Sequence, residues 1–140
     1  MKLTKDKKIL IIGLGVIGGS YAMSLSKQGY DISCITRTKE HIDFALEKGI
    51  ISRGETFNSP NLINSADIII VAIYPVACVE WVKENQQYFK SGCIVTDVTG
   101  VKSKVVYEIQ KVLRKDVEFI AAHPMAGREQ SGVAFADDKV

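Results

Sequence analysis

The sequence is poor in the features that mark a disulfide-rich or metal-binding protein. Its 140 residues include three cysteines, Cys34, Cys78 and Cys93, which are widely spaced and form no CxxC pair. An odd number of cysteines in this arrangement fits neither a disulfide framework nor a zinc site. We therefore expect buried, reduced thiols, as in a cytoplasmic protein, and no bound metal.

Strong charge and long hydrophobic runs are also missing. Eighteen Lys and Arg residues against 16 Asp and Glu give a net charge of +2, without any run of five basic residues. We therefore expect no nucleic acid partner. No apolar run approaches the roughly 20 residues that cross a bilayer. The basic segment Met1 to Lys8 leads into an apolar stretch that Gly13 and Gly15 interrupt, so we expect neither a signal peptide nor a membrane partner.

The sequence does contain short runs of Ile and Val that do not alternate with polar residues. Such runs are typical of strands buried on both faces of a parallel sheet. A short extra strand near Ile51 also fits. No linker rich in Pro, Gly or Ser divides the chain, so residues 1–140 are predicted to form one domain. The predicted strands are Lys8–Ile12, Ile32–Thr36, Ala66–Ile73, Cys93–Val98 and Glu118–Ala122.

Helical periodicity appears between these runs. The first helix is predicted over Ile17–Gln28 and the second between an N-cap at Thr38 and a C-cap signal at Gly49, while residues 54–64 are predicted as a polar loop. Strands that alternate with helices predict an α/β, doubly wound parallel sheet with right-handed crossovers. The apolar residues that mark the second, third and fourth helices are Ile42, Ala45 and Leu46; Val79, Val82 and Phe89; and Val101, Val105, Ile109, Val112 and Leu113.

A glycine-rich segment directly follows the first strand. Residues 13–20 contain the pattern G-x-G-x-x-G and open the first predicted helix. In that context the first glycine permits a tight turn, the second lets a pyrophosphate approach, and the third allows close packing of the helix. The alternative is a glycine-rich turn without a ligand. We predict a Rossmann-like domain, in which the residues at the cofactor phosphates are Gly13, Gly15, Val16, Ile17 and Gly18.

The end of the second strand bears on the choice of cofactor. NAD-dependent domains usually have Asp or Glu about 20 residues after the glycines, where the carboxylate binds the ribose 2′-hydroxyl. This chain has Thr36, Arg37 and Thr38 there. An arginine and two hydroxyls would bind the 2′-phosphate of NADP, which a carboxylate would repel, so NADP is favoured over NAD. The alternative is a solvated Arg37 and relaxed specificity.

Ligands of open α/β sheets bind at the carboxyl ends of the strands. Ile73 and Pro75 would line the cofactor there, and Pro75 would begin the next helix.

His123 follows the last strand, where a neutral imidazole would accept a proton from a substrate hydroxyl as hydride leaves the same carbon. The alternative is a structural histidine. Lys102 would neutralise a substrate carboxylate or only begin a helix. His41 is expected at the surface of the second helix.

Three segments together resemble the nucleotide-binding domain of prephenate and arogenate dehydrogenases. They read GLGVIGGS at 13–20, DVTGVKS at 97–103 and HPMAGREQSG at 123–132. The resemblance implies oxidation of prephenate or arogenate in tyrosine biosynthesis, with hydride transfer to NAD(P), loss of carbon dioxide and aromatisation of the ring. The alternatives are another NAD(P)-dependent dehydrogenase, of the 3-hydroxyacid or imine-reductase type, and a dinucleotide-binding fragment without activity of its own.

The resemblance also implies roles for residues near the reacting centre. His123 matches the histidine that takes the proton of the ring hydroxyl, and Lys102 matches a lysine associated with substrate binding. Gly100 stands where many members have a serine that orients the histidine and the nicotinamide. Thr99 or a water molecule supplies that hydroxyl, or the contact is absent.

The segment after His123 carries the substrate-binding candidates. By resemblance, Glu129 and Ser131 border the substrate pocket. Arg128 replaces the Thr or Ser of many members, and it would either reach a substrate carboxylate or face solvent.

The length is short for such a protein. A doubly wound dinucleotide domain would normally add another strand after this point, and in the resembling family a helical domain follows that supplies dimer contacts and much of the substrate pocket. We therefore expect most of a nucleotide-binding domain, which alone binds dinucleotide weakly and turns over little substrate, and a homodimer in the complete protein.

Overall fold

The computed structural model describes residues 3–100, 102–123 and 132–138. In that part of the chain strands and helices alternate, and a 3₁₀ turn lies at Gln86–Tyr88 and another at Val133–Phe135. The elements are β1 Lys8–Ile12, α1 Val16–Lys27, β2 Asp31–Ile35, α2 Lys39–Glu47, β3 Arg53–Glu55, α3 Pro60–Ser65, β4 Ile68–Val71, α4 Pro75–Asn85, β5 Ile94–Asp97, α5 Lys102–Val112 and β6 Glu118–Ala121.

The six strands form one parallel sheet in the order β3-β2-β1-β4-β5-β6. This is the Rossmann order 3-2-1-4-5-6, in which the chain reverses its winding direction between β1 and β4. The predicted α/β fold is therefore confirmed. The short strand expected near Ile51 is β3, which pairs with the outer edge of β2. Among the described residues, no strand follows β6.

Two hydrophobic layers cover the sheet. Ile9 and Ile11 of β1 pack with α1 and α2, whereas Leu10 and Ile12 pack with α3, α4 and α5. Successive residues of a strand point to opposite faces, so a strand that is covered on both sides needs an uninterrupted apolar run. This explains why the Ile-rich runs located the central strands correctly.

The last strand departs from that prediction. In β6 only Phe119 packs against the core, while Glu118 and Ile120 are exposed. β6 lies at the edge of the sheet, and its register pairs it with β5 alone. The described helices cover one face of this strand, so the expectation of burial on both faces is wrong here.

Several local predictions also need correction. Residues 54–64 are not merely a polar loop, because they include the end of β3 and most of α3, where Ser59 Oγ accepts from the N–H of Leu62 at 3.3 Å. Two buried residues in a six-residue helix are too few to show a helical period. Leu46 is exposed although it was expected on the buried face of α2. Phe89 is buried but lies beyond the end of α4. Val101 lies outside the described residues.

The cysteines are free thiols, all of them buried, as expected. Burial raises the pKa of each thiol to about 12. In the described part of the chain, no helix is long and apolar enough to cross a membrane. The same residues hold no group of three or more His, Cys, Asp or Glu side chains that could bind a metal ion.

Candidate functional site

The glycine turn lies between β1 and α1, where the winding of the sheet reverses. Gly13 has a φ of 89°, and its N–H donates to the carbonyl of Ile35 at 2.8 Å. A Cβ atom on Gly13 would lie 2.6 Å from the carbonyl oxygen of Ala72 and 2.6 Å from Cγ2 of Ile73. Both the backbone conformation and the lack of space therefore require glycine at this position.

The other two glycines of the motif have opposite surroundings. A Cβ on Gly18 would lie 2.0 Å from the carbonyl oxygen of Gly13, because α1 packs directly on the turn. Gly15 is the N-cap of α1, and, apart from its chain neighbours, no atom of the described residues lies within 4 Å of the position its Cβ would take. No side chain makes a capping hydrogen bond there. The N–H groups of the first helical turn, those of Val16 and Ile17 among them, have no partner within the helix. The turn thus fits a diphosphate: it offers donors, the positive end of a helix and room for close approach.

The end of β2 lies directly beside this turn. The hydroxyl of Thr36 accepts from the N–H of Leu14 at 3.4 Å, and the side chain is half-buried. Arg37 and Thr38 follow and are exposed. Thr38 is the N-cap residue of α2, although its side chain makes no capping hydrogen bond. The structure thus places Thr36 beside the glycine turn, and Arg37 and Thr38 follow it along the chain, with no carboxylate among the three.

The end of β4 forms the other side of the turn. Ile73 lies against Gly13, and Pro75 is the first residue of α4, as predicted. The neighbouring side chains of Tyr74 and Val76 are 84% and 70% exposed. This edge therefore offers an apolar surface next to the glycine turn, although no described contact joins Pro75 to it.

Among the described residues at the carboxyl edge, the side chain with the most hydrogen bonds is that of Asp97, which was not among the predicted site residues. It ends β5 and is fully buried. Its Oδ2 atom accepts from the N–H of Thr99 at 3.2 Å, from the hydroxyl of Thr99 and from Nζ of Lys102 at 2.7 Å. Its Oδ1 atom accepts from the N–H of Ala122 at 3.3 Å. A lone carboxylate inside an apolar strand was the signal that could have revealed it.

His123 lies two residues beyond the end of β6 and is exposed. Its Nε2 atom is 3.6 Å from the position that a Cβ would take on Gly100. The structure thus brings His123 and Gly100 together, as expected from the resemblance. Thr99 is buried and donates its hydroxyl proton to Asp97, so that proton is not offered to the imidazole. Lys102 begins α5 and forms an ion pair with Asp97, with 26% of its side chain exposed.

The described residues after the histidine segment pack against the first two helices. A Cβ on Gly19 would lie 2.7 Å from Cβ of Ala136, and the N–H of Asp137 donates to Ser20 Oγ at 3.0 Å. Gly132 lies near His41, which lies in α2, as expected, and is half-buried. Arg128, Glu129 and Ser131 lie outside the described residues.

A Rossmann-ordered sheet with an open, uncapped glycine turn at the start of α1 defines the molecule as a nucleotide-binding domain. A family model described as "Prephenate dehydrogenase, nucleotide-binding domain" matches residues 21–140. The chain belongs to this family, which confirms the resemblance drawn from the sequence.

Two curated relatives and one solved structure show how far the similarity extends. The chain is 36% identical to the prephenate dehydrogenase of Lactococcus lactis subsp. cremoris (strain MG1363), over 94% of this chain and 37% of that protein. It is 35% identical to the prephenate dehydrogenase of Bacillus subtilis (strain 168), over 99% of this chain and 38% of that protein. The crystal structure of prephenate dehydrogenase from A. aeolicus, in complex with hydroxyphenyl propionate and NAD+, matches with a TM-score of 0.85 and 33% identity. That match covers 98% of this chain and 48% of that one, so the chain spans less than half the length of these relatives.

Proposed function

We propose that this chain is the nucleotide-binding part of a prephenate or arogenate dehydrogenase. The observation that carries the proposal is the placement of His123 against Gly100, at the carboxyl edge of a family-typical sheet. Two curated relatives that match most of the chain are prephenate dehydrogenases, which supports the same reaction class.

The cofactor of this proposal is a nicotinamide dinucleotide, which supplies the hydride acceptor when it is bound. The N–H groups of Val16 and Ile17 would bind its diphosphate beside the open side of Gly15. We propose NADP as the preferred form, since Thr36 occupies the position of the usual carboxylate and Arg37 is exposed beside it. The guanidinium would pair with a 2′-phosphate.

In the proposed mechanism, the imidazole of His123 binds and removes the proton of the ring hydroxyl. The carbon that carries this hydroxyl would pass its hydride to the nicotinamide, and its C–O bond would become a carbonyl. The bond from the ring to the carboxylate breaks, carbon dioxide leaves, and the electron pair of that bond moves into the ring, which becomes aromatic as the carbonyl oxygen takes up a proton and becomes the phenol. Aromatisation makes the step effectively irreversible. The imidazole of His123 is exposed at the carboxyl edge of the sheet, where a substrate hydroxyl can reach it.

The remaining site residues have supporting roles in this proposal. Lys102 would contribute positive charge near a substrate carboxylate while its ammonium stays bound to Asp97. Thr99 would act through Asp97, to which it donates. Arg128, Glu129 and Ser131 follow His123 closely along the chain and would contact the substrate.

The rest of the substrate pocket is proposed to come from a separate helical domain, which would also supply the contacts of a homodimer. The observation behind this is that the chain spans 37% and 38% of its two curated relatives. The 140-residue chain on its own would then bind dinucleotide weakly and turn over little substrate. A dinucleotide-binding chain without activity of its own is the second candidate, and this coverage favours it for the isolated domain.

The test is a turnover assay of the full gene product that contains this chain. Prephenate and arogenate are each incubated with NADP+ or NAD+, and the absorbance of the reduced nicotinamide is followed. We expect reduction with at least one substrate, faster with NADP+. A gene product that binds dinucleotide by calorimetry but reduces none with either substrate would contradict the proposed function.

A further inference from the structure

Asp97 is a fully buried carboxylate at the end of an apolar strand. Burial of a charge is costly unless hydrogen bonds and an opposite charge compensate for it. An apolar residue at this position would complete the core without that cost. The presence of a carboxylate at this position is therefore explained by the groups that it binds, and not by a contribution to the hydrophobic core.

The bonds of Asp97 join three successive elements of the fold. The N–H and hydroxyl of Thr99 connect it to the turn after β5, and Nζ of Lys102 connects it to the first residue of α5. The N–H of Ala122 connects it to the end of β6. Three of these four donors carry no charge, so the contacts do more than neutralise the carboxylate.

The bond to Ala122 lies where the strand pairing ends. Asp97 pairs with Ala121 in the register of β5 and β6, and this is the last pair of the ladder. The next N–H, that of Ala122, bonds to the carboxylate of Asp97. His123 is the next residue, so the backbone of His123 leaves the sheet directly after Ala122, whose position the side chain of Asp97 fixes.

Gly100, the other partner in the contact with His123, is also held in place by the carboxylate of Asp97. Gly100 follows Thr99, whose N–H and hydroxyl are both bound to Asp97. The Nε2 atom of His123 lies 3.6 Å from the Cβ position of Gly100. The side chain of Asp97 therefore binds both the turn after β5, which carries Gly100, and the end of β6, which leads to His123. The distance between these two segments determines the contact between His123 and Gly100.

We propose that Asp97 is a positioning residue that places the imidazole of His123 against the turn at Gly100. The effect of Asp97 on catalysis rests on the proposed function, whereas the effect of Asp97 on the position of the imidazole does not. The step that Asp97 assists is the proton transfer to His123, which requires the imidazole within hydrogen-bond reach of the substrate hydroxyl.

The chain offers a matched control in Asp67, at the opposite end of the same sheet. Its Oδ2 atom accepts from the N–H of Lys8 at 3.0 Å, and its Oδ1 atom accepts from Nζ of Lys90 at 2.6 Å. Its side chain is 16% exposed. Asp67 thus has the same kinds of partner, a backbone N–H and a lysine, but it lies just before β4, at the amino end of the strands.

The first experiment is NMR of the imidazole resonances in the 140-residue chain. The chain has two histidines, and the variant His41→Asn assigns their signals. We expect Asp97→Asn to move the signals of His123 and to leave those of His41 unchanged, whereas Asp67→Asn moves neither. If the imidazole signals of His123 have the same chemical shifts in Asp97→Asn as in the wild type, the proposal is wrong.

A second pair of variants serves if Asp97→Asn does not fold. Thr99→Val and Lys102→Met each remove one donor to Oδ2 and keep the carboxylate. We expect each to move the signals of His123 by less than the full substitution would. If both variants fold and neither changes these signals, the proposal is wrong.

The second experiment measures steady-state kinetics in the full gene product. Asp97→Asn is expected to lower kcat by on the order of tenfold to a hundredfold, since small displacements of a catalytic group have effects of this size. The KM for the dinucleotide should change by less than about twofold, because the glycine turn is untouched. Asp67→Asn should leave kcat unchanged. If kcat is unchanged in Asp97→Asn, the proposed effect of Asp97 on catalysis is wrong. If the NMR signals of His123 shift in Asp97→Asn but the wild type turns over neither substrate, the proposed function is wrong while the positioning role of Asp97 stands.

Discussion

The Nε2 atom of His123 lies 3.6 Å from the position that a Cβ would take on Gly100. Apart from the chain neighbours of Gly100, no other atom of the described residues lies within 4 Å of that position. A serine side chain would therefore have room there, with its hydroxyl within reach of the imidazole. Many members of the resembling family have serine at this place, so the contact can be restored by one substitution.

We expect Gly100→Ser to raise kcat by a few-fold, because a hydroxyl next to Nε2 would restrict the imidazole to a productive orientation. The control is Gly100→Ala, which adds the Cβ without the hydroxyl and should not raise kcat. Both variants are compared in the turnover assay of the full gene product. Equal kcat values for the serine and alanine variants would show that the hydroxyl has no such effect.

The two glycines at the start of α1 should respond differently to alanine. In Gly15→Ala the new Cβ meets no atom of the described residues within 4 Å, apart from its chain neighbours, so the variant should fold with wild-type stability. It should bind dinucleotide at least about tenfold more weakly, because the methyl group occupies the space of the diphosphate. Gly18→Ala would place its Cβ 2.0 Å from the carbonyl of Gly13 and should lower the free energy of unfolding by about 1–3 kcal/mol.

Urea unfolding and calorimetric titration with NADP+ measure these two effects separately. If Gly15→Ala binds the dinucleotide as tightly as the wild type does, the diphosphate does not lie where the turn is open.

Cofactor preference should depend on Arg37. Arg37→Ala should weaken NADP+ binding about tenfold, the effect of losing one charge-assisted contact, and leave NAD+ binding nearly unchanged. Thr36→Asp adds a carboxylate beside the N–H of Leu14 and should reverse the preference towards NAD+. Calorimetry of the wild type and both variants with each dinucleotide measures the six affinities. Tighter binding of NAD+ than of NADP+ by the wild type would refute the proposed preference.

The stability of the fold in acid should depend on Asp67. Burial alone would raise its pKa, but the N–H of Lys8 and the ammonium of Lys90 hold that pKa below its ordinary value. Asp67 therefore stabilises the fold above the ordinary pKa of aspartate, and this contribution is lost as the pH falls through the lowered value. Asp67→Asn should lower the free energy of unfolding by about 1–2 kcal/mol at neutral pH.

The difference between Asp67→Asn and the wild type should then shrink as the pH falls, which urea unfolding at several pH values would show. Asp43→Asn is the control, because its ion pair with Lys39 is exposed and contributes little. A difference that stays constant into strong acid would contradict the assigned cause.

The sequence predicted the parts of the fold that depend on local patterns. The buried strands were found because each covered strand needs an apolar run, and α1 was placed within one residue at each end because glycines mark its start. The short helix α3 was missed because Leu62 and Ile63 alone cannot show a period. The exposure of Ile120 was missed because it depends on which faces the helices cover.

The candidate site was predictable only in part, for a similar reason. His123 and Gly100 were expected to meet because the resemblance implies a residue at position 100 that orients the histidine. Asp97 was missed because its partners come from separate elements, one of them 25 residues away along the chain. The packing of Ala136 against Gly19 joins still more distant residues, and no local pattern indicates such a contact.

We propose that the imidazole of His123 performs proton transfer for a dehydrogenase whose dinucleotide binds at the glycine turn. The most direct measurement is the kcat of His123→Asn, with His41→Asn as control, in the full gene product with prephenate or arogenate. We expect His123→Asn to bind the dinucleotide as the wild type does and to lose activity by on the order of a hundredfold to ten-thousandfold, while His41→Asn stays active. A kcat for His123→Asn equal to that of the wild type would contradict the claim.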